Sequence, residues 1–258
     1  MTRTALIVVI VLAAACTSRS DPPLDVDAEG ALVRGSTAEP EIALVFTGDE
    51  YADGATQIAD VLGARDVKAS FFLTGKFYRN PDFAPAIARL REEGHYLGAH
   101  SDQHLLYCDW EDRDSLLVTR EEFEQDVRDN YAEMQRFGVT WDEAPYYLPP
   151  YEWYNRQIAD WTDEIGLTLV NYTPGTRSHA DYTTPDMGER YVSSDEIVRS
   201  ILEYERTSRH GLNGFILLMH IGTAPERDDK LYMRLESLLE ELATLGYEFN
   251  RIDEILSP

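Results

Sequence analysis

Seven short β-rich runs, spaced along the chain by amphipathic stretches of helical period, constrain the fold more than any other feature. The runs are IALVFT (42–47), KASFFLT (68–74), HYLGA (95–99), PYYL (145–148), LTLVNY (167–172), FILLMH (215–220) and YEFNRI (247–252). The helical stretches fall at 54–65, 81–93, 120–137, 153–165, 194–209 and 228–245. Strands alternating with helices predict a parallel sheet with helical crossovers. Near-continuous apolar runs such as FILLM belong to strands buried on both faces. No glycine-rich dinucleotide fingerprint follows the first run, and the number of βα units points to a single-domain α/β barrel rather than a doubly wound sheet. Thr119 with Glu122 and Ser193 with Glu196 form capping-box patterns that fix two helix starts.

The chain before the first run has a different character. Residues 1–15 combine Arg3 with an apolar stretch too short to cross a bilayer, which predicts a signal peptide and export. The ending LAAAC is similar to a bacterial lipobox, although Ala13 stands where Leu is usual. That similarity implies a lipidated Cys16 and an envelope protein held to the membrane by its lipid anchor alone. Thr17 after the cysteine would favour the outer membrane, and a plain secretory peptide is the alternative. Residues 16–40 are rich in Ser, Pro, Asp and Gly and read as the lipidated cysteine and a flexible tether, so the catalytic domain is expected over 41–258. Loss of Cys16 to lipidation would leave Cys108 with no internal disulfide partner. The chain carries 47 Asp and Glu against 23 Lys and Arg, a net charge of −24. Such a surface repels polyanions and excludes nucleic acid as a partner.

In barrel folds, chemistry collects at the C-terminal ends of the strands. Past the first run stand Asp49 and Glu50; past the third, His100 and His104; past the sixth, His220. A lone histidine at a strand end is more often a structural residue, but three with a carboxylate reverse those odds, because two neutral imidazoles and one carboxylate are a standard open set for a divalent catalytic ion.

These residues carry a family resemblance. HSDQH (100–104), LPPY (148–151) and LLMH (217–220) are similar, in order and spacing, to the HSxxH, RPPY and LxH motifs of polysaccharide deacetylases of the nodulation-protein type, carbohydrate esterase family 4. The resemblance implies a distorted (β/α)7 barrel and metal-dependent removal of acetyl groups from a glycan, foremost the N-acetyl groups of N-acetylglucosamine polymers. Asp49, His100 and His104 are assigned as ligands to Zn²⁺, with Co²⁺ or Ni²⁺ as substitutes, and Glu50 as base, the two acids being those nearest the family's first motif. The resemblance of the closing motif implies His220 as acid. The roles of Asp49 and Glu50 can be exchanged. The backbone N–H of Tyr151 would face the developing oxyanion. Tyr151 and Trp153 are candidate sugar-stacking rings, with core packing the alternative. Arg177 could supply a missing cation or be an ordinary surface residue. The acidic run Asp109–Asp114 reads as a solvated loop.

Three motifs depart from the family. Where TFDD should supply base and ligand, the chain has VFTGDE, which puts Thr47 and Gly48 on the two aspartates; Leu148 replaces the arginine of RPPY. The fourth motif is unrecognisable in NYTPGTRSHADYTTPD, where Asp181 and Asp186 are the acids available. Two further readings therefore stand beside the deacetylase: a carbohydrate-binding protein that has lost the chemistry, and a metal-dependent O-acetyl esterase or amidase.

Overall fold

The computed structural model describes residues 24–257. The expected signal peptide, Cys16 and the tether up to residue 23 lie outside the described residues. The seven expected strands are present as β3 to β9, preceded by two that the sequence reading missed. The nine strands among the described residues are β1 (Asp25–Val26), β2 (Leu32–Arg34), β3 (Glu41–Gly48), β4 (Ser70–Leu73), β5 (Tyr96–Ala99), β6 (Tyr146–Tyr147), β7 (Thr168–Leu169), β8 (Phe215–His220) and β9 (Glu248–Asn250). They form one sheet in the order β1-β2-β8-β3-β4-β5-β6-β7, with β9 beside the start of β3. Pairing is parallel from β8 through β7. Parallel neighbours need long crossovers, which the helices supply.

The sheet curls until its two ends meet. Leu32 of β2 bridges to Val170 just past β7, Asn171 N–H donates to Leu32 O at 2.9 Å, and Thr173 N–H donates to Ile216 O of β8 at 3.1 Å. A few bonds thus span the gap that a full strand pair would close in a regular barrel. This is the single-domain distorted α/β barrel the sequence predicts.

The expected domain start at residue 41 is incorrect. From Leu24 onward the supposed tether belongs to the domain: β2 pairs with β8, and Ala31, Val33 and Arg34 are buried. The Arg34 guanidinium donates to Asn213 O at 2.8 Å and Gly211 O at 2.9 Å, which compensates its burial. Asp27 closes the turn between β1 and β2 by accepting from the N–H groups of Glu29, Gly30 and Ala31. Strands this short, set among turn residues, give no periodicity to read.

Among the described residues eight helices surround the sheet: α1 (Ala55–Ala64), α2 (Gly75–Arg79), α3 (Ala84–Glu92), α4 (Arg120–Gln135), α5 (Arg156–Glu164), α6 (Ser194–Thr207), α7 (Leu235–Thr244) and α8 (Ile252–Ile255). Both capping boxes form, at the starts of α4 and α6. The helix expected from 228 begins only at Leu235, after a 3-10 turn over Leu231–Arg234. The core is continuous: β8 is buried from Phe215 to Met219, and Phe46 stacks on Phe71 with ring centroids 5.1 Å apart.

Candidate active site

The C-terminal strand ends open onto a cavity of about 810 Å³. Asp49, Glu50, His100, His104, Tyr151, Trp153 and His220 all line it, so seven of the eight expected side-chain positions within the described residues converge. Arg177 does not. Its side chain is exposed, its N–H donates to Ser200 Oγ, and it does not line the cavity, so it is no replacement for the missing cation.

β3 delivers the first acids. Asp49 Oδ1 accepts from Thr74 Oγ1 at 2.9 Å, and Asp49 Oδ2 lies 3.9 Å from His104 Nδ1. Thr74 is itself the N-cap of α2, bonded to Phe77 N–H, so the end of β4 fixes the carboxylate. A Cβ added to Gly48 would come within 2.6 Å of Ile221 and 2.9 Å of Leu73. Packing therefore disfavours any side chain at that position, and the acid arrives one residue later. Thr47 is buried, its hydroxyl without a hydrogen-bond partner. Glu50 is exposed on the rim.

β5 delivers the histidine pair. His100 N–H donates to Asn130 Oδ1 of α4 at 2.8 Å, and Asn130 Nδ2 donates onward to Leu73 O at 3.2 Å. His100 Nδ1 lies 2.8 Å from Leu148 O, a contact in which the neutral ring donates and leaves Nε2 with its lone pair. Leu148 has lost the arginine's charge, yet its carbonyl still orients the first histidine. His104 sits in a left-handed backbone conformation (φ 56°), its ring 5.1 Å from that of His100 and 4.3 Å from that of Tyr151. Burial lowers both imidazoles: His100 to about 3, helped by the neighbouring His104, and His104 to about 4, helped by Lys76 and His220. Both are neutral at physiological pH. Among the described residues, no three His, Cys, Asp or Glu side chains stand close enough to enclose an ion as they are.

The opposite wall has another logic. His220 Nδ1 is 2.6 Å from Asp181 Oδ1, and His220 N–H donates to Asp181 Oδ2 at 2.9 Å. Burial pulls His220 down, but the charge and hydrogen bond of Asp181, with the charge of Glu152, outweigh it and leave His220 raised. Of the two acids available in the stretch of the unrecognised fourth motif, Asp181 is the one that reaches His220, whereas Asp186 is exposed and accepts from Thr184 Oγ1. The loop holding Asp181 is pinned by Arg227, fully buried, which donates to Thr183 O at 2.6 Å and Val192 O at 3.0 Å.

After β6, Tyr151 and Glu152 both adopt positive φ (59° and 53°), a conformation costing non-glycine residues roughly 1–3 kcal/mol each. The turn leaves Tyr151 exposed and brings Glu152 to the cavity wall. Burial raises Glu152 to about 7, with Asp181 adding to the rise and His220 opposing it. Glu152 escaped the sequence reading because nothing in PPYE distinguishes it from a surface acid. Trp110 was also missed, being hidden in the acidic run; it is 55% exposed, with its ring 5.6 Å from Tyr151 and 5.5 Å from Trp153. Trp153, expected as an exposed ring, is half-buried, with the Arg113 guanidinium 4.1 Å from its ring centroid. Cys108 is buried, and burial pushes its thiol up to about 11.

The polysaccharide deacetylase family model matches residues 34–170, more than half of the chain. The chain belongs to the polysaccharide deacetylase family. Similar proteins include the peptidoglycan-N-acetylglucosamine deacetylase PgdA of Listeria monocytogenes, 26% identical over 83% of this chain. The chain spans only 38% of that relative's length. The peptidoglycan-N-acetylmuramic acid deacetylase PdaA of Bacillus subtilis is 25% identical, with 86% of this chain and 73% of the relative covered. Among solved structures, the Bacillus subtilis PdaA fold matches with a TM-score of 0.67 at 21% identity, covering 87% of this chain and 84% of that one. A family 4 pseudoenzyme from Bacillus anthracis matches equally, with a TM-score of 0.67 at 16% identity over 89% of this chain and 70% of that one. The shared polysaccharide deacetylase fold therefore accompanies both deacetylases and a pseudoenzyme.

Proposed function

We propose that this protein is a metal-dependent hydrolase that removes N-acetyl groups from an N-acetylglucosamine-containing glycan. The observation that carries this reading is the division of one cavity between two neutral imidazoles beside Asp49 and a third imidazole paired with Asp181. Hydrolysis of an acetamide needs both: a place for a Lewis acid and a proton donor for the leaving nitrogen.

The donor chemistry fits a divalent ion. His100 keeps Nε2 free because Nδ1 is engaged by Leu148 O, and Asp49 is oriented by Thr74. Asp49, His100 and His104 would hold the ion, drawn inward from their present spacing, and Zn²⁺, Co²⁺ or Ni²⁺ suits imidazole and carboxylate donors. When bound, such an ion polarises the acetyl carbonyl and makes water a better nucleophile. Glu50 removes a proton from the attacking water, whose oxygen bonds to the acetyl carbon. The backbone N–H of Tyr151 stabilises the oxyanion. As the C–N bond breaks, His220 gives its proton to the departing amine, and acetate is the second product. The roles of Asp49 and Glu50 are separable by experiment. Asp49→Ala is expected to lose metal, and Glu50→Gln to keep metal while losing turnover; the reverse pattern exchanges them.

A second reading is favoured by Thr47, a hydroxyl where the family's base would stand: a glycan-binding protein without turnover. Metal content and acetate release from acetylated chito-oligosaccharides and acetylated xylan decide between the readings. If the purified protein holds no metal and neither substrate releases acetate with added Zn²⁺, Co²⁺ or Ni²⁺, the hydrolase reading fails. Release from xylan alone would make the protein an O-acetyl esterase. Export and lipid anchoring at Cys16 are part of the proposal, supported by the composition of residues 1–16.

A further inference from the structure

Four aromatic rings are exposed among the described residues, Tyr51, Trp110, Tyr151 and Tyr182, and all four line this one cavity. Exposed large rings are costly to leave in water, and a patch of them marks a binding surface. They lie on both sides of the histidines. Tyr151 stands 4.3 Å from His104 with Trp110 beyond it, and Tyr182 stands 5.6 Å from His220. A ligand reaching the histidines therefore meets ring faces before and after the reacting group, an arrangement that suits several linked sugars and exceeds what one sugar can cover.

Apart from its histidines, the charged side chains that line the same cavity are all acids. Five carboxylates line it, Asp49, Glu50, Glu152, Asp186 and Glu226, and among the described residues no lysine or arginine does. Loss of the arginine at Leu148 is thus not made good by another cation in the lining. A glycan carrying carboxylates would bring its charge among these acids with no lysine or arginine in the lining to pair it, a cost that acts as discrimination. A neutral glycan pays no such cost. Its deacetylated product is an amine that protonates, which the same acids favour.

Building on the proposed function, we infer that the substrate is an uncharged N-acetylated glycan chain of several sugars, seated on Trp110, Tyr151 and Tyr182, and that carboxylate-bearing glycans are excluded. The test compares N-acetylated chitotetraose with the same tetramer carrying C6 carboxylates. Binding is followed by tryptophan fluorescence, which needs no turnover, and acetate release is followed in parallel with Zn²⁺ present. The neutral tetramer is expected to bind about tenfold more tightly or better at low salt, a difference of about 1.4 kcal/mol. Added NaCl should narrow the gap, because the Debye length falls to about 10 Å at 0.1 M. Asp186→Asn with Glu226→Gln should narrow it too. Trp110→Ala, at a largely exposed position, should raise KM for the neutral tetramer about tenfold while kcat falls far less, the pattern of lost ground-state binding. Tyr182→Ala should act in the same direction.

Equal binding of the two tetramers, or a gap unmoved by salt and by the double variant, overturns the inference. So does an unchanged KM in both ring variants. Selective binding without acetate release leaves the glycan class standing and removes only the hydrolytic reading. Equal acetate release from both tetramers does the opposite.

Discussion

The two walls of the cavity use the same side chain for opposite ends. On one wall His100 and His104 are neutral, held low by burial, with the neighbouring His104 adding to the fall at His100 and Lys76 and His220 to that at His104. On the other, His220 also lies in the cavity wall, yet Asp181 at 2.6 Å, with the charge of Glu152, reverses the direction of its shift. Under the proposed function a histidine in this barrel would serve as ligand or as acid according to its neighbours, because nearby carboxylates outweigh the desolvation that otherwise favours the neutral ring.

The comparison can be broken first on the neutral wall. His104→Ala should abolish metal binding and lower acetate release by about a thousandfold or more, as several kcal/mol of Lewis-acid assistance disappear. Metal analysis and turnover on the same preparation check this. Breaking the acid wall comes next. Asp181→Asn should keep the metal but cut kcat by about a hundredfold, within the range expected of general acid catalysis. Its high-pH limb should move toward lower pH, since Asp181 is what holds the His220 proton to higher pH. A pH–rate profile distinguishes that shift from simple misfolding.

Smaller effects sharpen the contrast. Thr74→Val removes the hydroxyl that orients Asp49 and should weaken metal affinity about tenfold, at the lower end of what supporting hydrogen bonds contribute. Competition with a chelator measures it. The smallest expected effect is at Glu152, which titrates near 7 in the folded protein against an ordinary value of 4.5. The native state keeps a proton that the unfolded chain releases across that window, so stability falls as pH rises through it. Glu152→Gln should flatten this slope, visible as urea midpoints that change less between pH 5 and pH 7.5.

The strand ends repay sequence reading because they are set by local pattern. A buried parallel strand is a run of apolar residues, and the residues just past its end stand at the rim; His100, His104 and His220 needed only that logic. Other parts of the site had no local signal. Asp181 reaches His220 from 39 residues away across a loop with no periodicity. Glu152 and Tyr151 depend on two left-handed residues that no glycine or asparagine announces. Trp110 sat within a charge run, and the exposure of its ring is a property of the fold. β2 failed for a similar reason: Leu32–Arg34 is too short to show a period, and its place is set by the gap it fills between Val170 and Phe215.

The order of the motifs, the parallel α/β architecture and the three rim histidines were thus determined by the sequence itself, because periodicity and strand ends are local and additive. Tertiary structure decided which acid serves which histidine. It also decided that Gly48 has no room for a side chain while Asp49 does the reaching, and that Arg177 stays outside. Those outcomes depend on distances between segments far apart in the chain, and on burial, which no single segment carries.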